Sequence, residues 1–302
     1  MKITVEPGEE GRVDKVLAKR YPTAGRKQLA ELFEAGEIKL KGKRAKKGDP
    51  VAAGDEITLE REPVSRDARR AQPDPSIALE VIHETPELVV VHKPSGVPSQ
   101  PLQAGELGTM ANAIVARWPE CAAIGDDVRD GGLVHRLDIG TSGLLVAART
   151  ADAYRRLREA FGKGEVHKEY LAIVDGAPSV NEVDAPLSQR GDHVAVDHND
   201  GLTASTTFAP FESTGSHSLV RCFAKTGRMH QVRAHLAFAG SPIAGDVLYK
   251  GTPIEGHPGF FLHAYKMHVP AADGSETALE MIAPVPERFR AAAEAVGLKS
   301  PP

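Results

Sequence analysis

Gly132-Leu133-Val134-His135-Arg136-Leu137-Asp138-Ile139-Gly140-Thr141-Ser142-Gly143-Leu144-Leu145-Val146-Ala147 runs from an apolar approach through a lone aspartate to a Thr-Ser-Gly turn, and then into an apolar strand. That order puts Asp138 in a loop at the rim of a sheet, where rigid strands commonly hold reactive side chains. A carboxylate there can serve as a nucleophile or a base, and the neighbouring Arg136 can meet a phosphate or a base face. By chemistry alone, the commoner reading of such an aspartate is a structural one that caps a turn.

On either side of this run the patterning is mainly β. Ile77 to His83, Glu87 to His92, Leu144 to Ala148, Tyr170 to Val174, Ala204 to Phe208 and Ser218 to Phe223 read as strands. Helical spacing falls at Met110–Trp118, Asp152–Phe161, Arg228–Ala239 and Glu287–Val296. Strands outnumber helices and the two do not alternate strictly. The expected fold class is therefore α+β: a large mixed or mainly antiparallel sheet flanked by helices and loops.

Residues 61–76, REPVSRDARRAQPDPS, combine three prolines with charges and have no periodicity, which is the mark of a linker. Ahead of them, Val13, Val16 and Leu17 begin one helical pattern, and Lys27 to Ala35 forms a second that Gly36 stops. Short alternating strands follow at 37–40 and 57–59, joined through Gly48-Asp49-Pro50 and Gly54-Asp55. The expected organisation is a small α/β domain at 1–62, a linker at 63–76 and a large domain at 77–302.

Formal net charge is −4 over 302 residues, so the surface is not uniformly basic. Residues 1–70 nevertheless hold 17 Lys and Arg against 13 Asp and Glu. Six of the nine residues from Lys39 to Lys47 are basic and none is acidic. Two cysteines are too few for a disulfide framework or a four-cysteine zinc site, and a reducing cytoplasm fits. The start, MKITVEPGEE, has no apolar run of the signal-peptide kind, and no stretch approaches the roughly 18 apolar residues of a membrane span. His230 and His235, like His263 and His268, are five apart and lack the i, i+4 spacing of a zinc helix. Asp138 is followed two residues later by Gly140, so the second carboxylate of an Asp-x-Asp phosphatase is missing. No glycine-rich phosphate loop occurs. The expectation is no metal, no cofactor and no membrane.

His135-Arg136-Leu137-Asp138 followed by Thr141-Ser142-Gly143 is similar to the signature of the RluA/RluD-type pseudouridine synthases, with seven identities at fixed spacing. Other pieces follow in the family's order. Lys93-Pro94-Ser95-Gly96-Val97-Pro98 resembles its first motif, Lys168-Glu169-Tyr170 its lysine-x-tyrosine strand, and Thr226 to Leu236 with Gly240 to Tyr249 its third. Ile139-Gly140 departs from the polar pair more usual after the aspartate. In the small domain, Gly11-Arg12-Val13-Asp14-Lys15-Val16-Leu17, Gly25-Arg26-Lys27-Gln28, Lys41-Gly42-Lys43 and Gly54-Asp55-Glu56-Ile57 resemble an S-four-type RNA-binding module, with Thr23-Ala24-Gly25-Arg26 in place of the more usual serine-arginine start.

The resemblance implies an isomerase that converts uridines in RNA to pseudouridine and needs no cofactor. Asp138 is then the initiating group, by attack on the ribose, by proton abstraction that gives a glycal, or by attack on the base. Arg233 is implied to pair with Asp138 and favour its ionised form. At about 100° per residue Arg233 falls near the Met229/Val232/Leu236 stripe, and an inward arginine requires a partner. Tyr170 is implied to stack on the target uracil. Arg136 would enter the space the flipped nucleotide leaves, with His135 stacking on a neighbour or serving as a hydrogen-bonded structural histidine. Arg228, together with Arg26, Lys27, Lys43 and Arg44 of the small domain, would contact RNA. Large-subunit ribosomal RNA is the first expected partner and transfer RNA the second, for a cytoplasmic monomer. From another class, a catalytically silent RNA-binding or ribosome-assembly factor would share the fold without the chemistry.

Overall fold

The computed structural model describes residues 1–64, 69–270 and 279–299, with the Lys27 side chain outside the described residues. They divide into two compact units, Met1–Arg70 with Leu102–Gly105, and Ala71–Pro101 with Glu106–Pro302.

The N-terminal unit comprises β1 (Lys2–Thr4), β2 (Gly11–Arg12), α1 (Val13–Arg20), α2 (Arg26–Ala35), β3 (Ile38–Leu40), β4 (Lys43–Arg44), β5 (Pro50–Val51) and β6 (Glu56–Leu59). Four of its strands form a sheet in the order β1-β6-β3-β4, and β2 pairs with β5. Val13, Val16 and Leu17 of α1 and Leu29, Leu32 and Phe33 of α2 pack on Ile38, Ile57 and Leu59 in one core. Gly36 ends α2 in the left-handed region at φ 77°, and its N–H reaches the carbonyls of Leu32 and Phe33. The Arg44 guanidinium donates to the Glu34 carbonyl at the same helix end. The basic run is therefore partly neutralised from within. Lys39 pairs with Glu60 at 2.5 Å, Lys41 pairs with Asp55 at 2.8 Å, and Arg44 closes α2. Lys43, Lys46 and Lys47 are exposed and stand in none of the ion pairs among the described residues.

The second unit starts earlier than the linker reading expects. Ala71 is buried and its N–H donates to Val128 O, while the Asp74 carboxylate accepts from the N–H groups of Ser76 and Gly108. Residues 71–76 thus belong to this unit, because their side chains and backbone find partners there; 65–68 lie outside the described residues.

Its elements are β7 (Glu80–Glu84), β8 (Leu88–Lys93), α3 (Met110–Arg117), β9 (Ser142–Ala148), α4 (Ala151–Lys163), β10 (His167–Asp175), β11 (Glu182–Asp184), β12 (Leu187–Arg190), β13 (His193–Val196), β14 (Ser205–Ser213), β15 (His217–Ala224), α5 (Gln231–Phe238), β16 (Leu262–Val269), β17 (Leu279–Ile282) and α6 (Glu287–Ala295). Among the described residues nine strands form one sheet, β11-β14-β15-β10-β16-β9-β8-β7, with β17 also on β16. The fold is α+β, as expected. Alternation along the strands covers both faces. Val89, Val91, Leu145 and Ala147 pack with α3, whereas Val90, Leu144, Val146 and Ala148 pack with α4. In the other half of the sheet Ala172, Val174, Val220 and Cys222 pack with α5, and Leu171, Ile173 and Leu219 with α6. Each fully buried aliphatic side chain contributes about 2 kcal/mol. No helix among the described residues is long and apolar enough to cross a membrane. Both cysteines are buried; burial pushes the Cys121 thiol up to about 12 and raises that of Cys222 as well.

The two halves of the sheet meet where β16 runs parallel to β9, paired at His263↔Ser142 and Ala264↔Gly143. Gly143 has φ 117°, and a Cβ there would lie 2.2 Å from the Ala264 carbonyl oxygen. No other residue permits so close a backbone approach. The Ser142 hydroxyl lies 2.9 Å from His263 Nδ1, so the second and third residues of the Thr-Ser-Gly turn both serve this junction.

Gly143→Ala is expected to destabilise the protein by about 3 kcal/mol or to prevent soluble expression. Gly215→Ala, also at positive φ (89°) but in open space, should cost about 1 kcal/mol. Urea unfolding of the two variants checks the difference.

Candidate active site

The loop before β9 is clamped by the segment that leaves β8. The Ser95 hydroxyl donates to Gly140 O at 2.8 Å, Gly96 N–H to Ile139 O at 2.8 Å, and the Ser99 hydroxyl to Leu137 O at 2.8 Å while accepting from Leu137 N–H at 3.0 Å. Beneath them the fully buried Lys93 ammonium donates to the carbonyls of Pro94 (3.0 Å), Val97 (2.6 Å) and Ile139 (3.0 Å). An ammonium has three N–H donors, and three carbonyls use them. Burial pulls the Lys93 pKa down to about 7, opposed by the nearby Asp138 carboxylate. The Lys-Pro-Ser-Gly segment thus fixes the backbone on which Asp138 stands.

Across the sheet junction, α5 supplies Arg233, which is 5% exposed. Its Nη1 donates to Asp138 Oδ2 at 3.0 Å, while Nε and Nη2 fork onto Asp246 Oδ2 and Oδ1 at 2.7 and 2.9 Å. These partners outweigh its burial and raise the guanidinium pKa further. The guanidinium also faces the Phe260 ring at 4.5 Å and the Tyr249 ring at 5.0 Å. Phe260 comes so close because Gly140 has no side chain; a Cβ there would sit 2.6 Å from the ring. The unusual Ile139-Gly140 pair thereby acquires a reason at its second residue, while Ile139 is exposed.

Tyr170 approaches from β10, where the pairing with β16 shifts register between Glu169 and Tyr170; such a bulge re-aims a side chain. It packs against both the α3 and the α5 clusters, at the seam between them. Burial raises its hydroxyl pKa, and the charge of Asp138 adds to the rise. The turn into α5 is stapled by Gln231, whose Oε1 accepts from the Thr226 hydroxyl (2.7 Å) and Arg228 N–H (3.1 Å) and whose Nε2 donates to Ser205 O (2.9 Å). Buried Lys168 supports that turn by donating to Thr226 O at 2.8 Å. Together Asp138, Tyr170, Arg233, Arg136, Arg228 and His230 line one cleft. Residues 87–238, which include most of this lining, match the family model described as RNA pseudouridylate synthase.

The chain belongs to that family. Ribosomal large subunit pseudouridine synthase D of Xanthomonas campestris is 37% identical over 243 residues, which are 80% of this chain and 71% of the relative. The protein of that name from Xylella fastidiosa is 36% identical over 253 residues (82% and 74%), and that from Yersinia pestis 33% over 246 (80% and 74%). Two solved structures share the fold. Human RNA pseudouridylate synthase domain containing 4 has a TM-score of 0.59 at 24% identity, covering 74% of this chain and 95% of that one. Human RNA pseudouridylate synthase domain containing 1 has 0.55 at 21%, covering 80% and 100%. The protein is accordingly an RNA pseudouridine synthase, an isomerase.

Of the residues singled out in the synthase sequence, Asp138, Tyr170, Arg233, Arg136 and Arg228 come together, with Arg136 and Arg228 exposed at the rim. His135 is bound into the protein instead. Its Nε2 accepts from Val146 N–H at 3.1 Å and its ring stacks on Phe161 at 4.8 Å; burial pulls its pKa down to about 3. That geometry favours the structural histidine. Arg26, Lys43 and Arg44 lie in the N-terminal unit; the Lys27 side chain is outside the described residues. Sequence reading missed Asp246, although the rule that an inward arginine needs charge partners applies to all three faces of the guanidinium, not to one. It also missed the part played by Lys93, and the ring of Phe260.

Asp246→Ala should cost about 3–5 kcal/mol, because it strips the buried fork from Arg233. Pseudouridine formation should fall with it even at temperatures where the variant stays folded, as read by thermal unfolding and single-turnover rates.

Proposed function

We propose that this synthase isomerises specific uridines of large-subunit ribosomal RNA, with Asp138 as the group that starts the reaction. One observation carries the assignment: in the cleft Asp138 presents a carboxylate with one oxygen held by Arg233 at 3.0 Å and the other free of that contact. The free oxygen is the reactive one on each of the three routes open to an aspartate here: attack on the ribose, removal of a proton to give a glycal, or attack on the base. The names of the relatives favour ribosomal RNA over transfer RNA. A silent assembly factor would have no need of an arginine buried between two carboxylates.

Tyr170 offers its ring to the uracil and, once the carbon–carbon bond forms, a group near the proton on carbon 5. Arg136 and Arg228, both exposed, meet the RNA around the extruded nucleotide. The isomerisation moves no electrons to an acceptor and transfers no group to a second molecule, so the reaction asks for no cofactor. The expected setting is the cytoplasm, with the protein acting as a monomer. The N-terminal unit serves as the S-four-type module: exposed Arg26, Lys43, Lys46 and Lys47 neutralise phosphates, whereas Arg44 is committed to the end of α2.

Asp138→Asn is expected to abolish pseudouridine formation and leave RNA binding nearly intact; appreciable turnover by a pure variant would refute the assignment. Pseudouridine mapping of ribosomal and transfer RNA with and without the gene decides the substrate.

Lys43→Ala with Lys47→Ala should lower the slope of log affinity against log salt by about one to two units, with little change in turnover on saturating short substrate. Arg44→Ala should instead lower the stability of the N-terminal unit.

A further inference from the structure

His230 is a non-glycine residue in the left-handed region, at φ 51° and ψ 19°, immediately before α5. Backbone strain of this kind persists where surrounding contacts impose it. Val194 N–H donates to the Tyr249 hydroxyl oxygen at 2.9 Å, and that hydroxyl lies 3.2 Å from His230 Nδ1, where it can donate, while the carboxylate that faces Nε2 offers only acceptors. With Nδ1 accepting, the neutral ring carries its proton on Nε2. Nε2 lies 3.8 Å from Asp138 Oδ1, beyond a direct hydrogen bond, and Oδ1 is the oxygen that Arg233 leaves free. A donor and a reactive oxygen thus face the same space, close enough together for one substrate lying beside them to touch both.

We propose that His230 is a catalytic residue whose Nε2–H donates to the uracil oxygen at position 2 while the base is detached. This rests on the reading of Asp138 as the initiating group. When the bond from the anomeric carbon to N1 breaks, its electron pair stays on the base, whose negative charge spreads onto the ring oxygens. The pair that forms the new bond then comes from carbon 5, the proton lost there is matched by one gained at N1, and no co-reactant is consumed. A fixed donor beside the point of departure stabilises the charge where it develops, and removing one such donor typically costs about 100-fold or more in rate.

His230→Gly suits the left-handed backbone and should fold, as should His230→Asn, which tolerates it and is too short to reach. Single-turnover rates on saturating short RNA, with uridine or 2-thiouridine at the target, provide the test, because sulfur is a poor hydrogen-bond acceptor. The Gly variant is expected to be about 100-fold slower on uridine with an almost unchanged Kd, and equally slow on both substrates; the parent should slow on 2-thiouridine. His230→Gln, which carries an amide N–H toward the same place, should recover about tenfold. A Gly or Asn variant that keeps the parent's rate, or that keeps the parent's sensitivity to 2-thiouridine, overturns the proposal. Asp138→Asn is measured alongside: turnover there would refute the aspartate assignment, independently of the histidine result.

Discussion

The junction between β9 and β16 is the constraint on which the site depends. One half of the large sheet carries the Asp138 loop and the other carries Tyr170 and, through α5, Arg233. The halves share a parallel pairing at Gly143 and Ala264, where the backbones approach more closely than any side chain would allow. A parallel contact within an otherwise antiparallel sheet brings two strand starts side by side, so the loop entering β9 and the elements around the start of β16 open toward the same cleft. The Thr-Ser-Gly turn is thus as much a statement about sheet closure as about chemistry.

Within the cleft the two carboxylates on Arg233 are unequal. Asp246 is 2% exposed and takes two hydrogen bonds, whereas Asp138 takes one and keeps part of its surface open. Asp246, Phe260 and Tyr249 hold the guanidinium in place whatever Asp138 does. A cation anchored in this way keeps its place, and a fixed charge is the condition for electrostatic stabilisation to act without a reorganisation cost. Gly140 belongs to the same device, since its missing side chain is what admits the Phe260 ring.

Much of this was legible in the sequence, and the gaps have physical causes. Strands with several apolar neighbours, such as β8 to β10 and β15, announce themselves because both faces are buried. Strand β16 was missed: Leu262-His263-Ala264-Tyr265-Lys266-Met267-His268-Val269 mixes apolar residues with histidines and a lysine, and its membership of the sheet depends on partners far away in sequence. The β12–β13 hairpin went unseen for a similar reason, being short and supported by contacts to α5 and Tyr249 rather than by its own pattern. The charge run from Lys39 to Lys47 overstated the free positive charge, because the acids that neutralise it, Asp55 and Glu60, arrive from a neighbouring strand and turn. Asp138, Tyr170 and Arg233 were singled out through the resemblance to the family's motifs. Asp246 and His230 sat in the same motifs, but only geometry distinguishes a residue that supports an arginine from one that merely accompanies it.

The burial of Cys121 and Cys222 opens a practical route to following the protein at work. With both native thiols inside the core and held protonated, maleimide and iodoacetamide reagents have no accessible partner in the folded chain. A single cysteine introduced at the exposed rim, for example at Ile139, can therefore carry a fluorophore, a spin label or a disulfide tether to thiol-modified RNA with no prior removal of native cysteines.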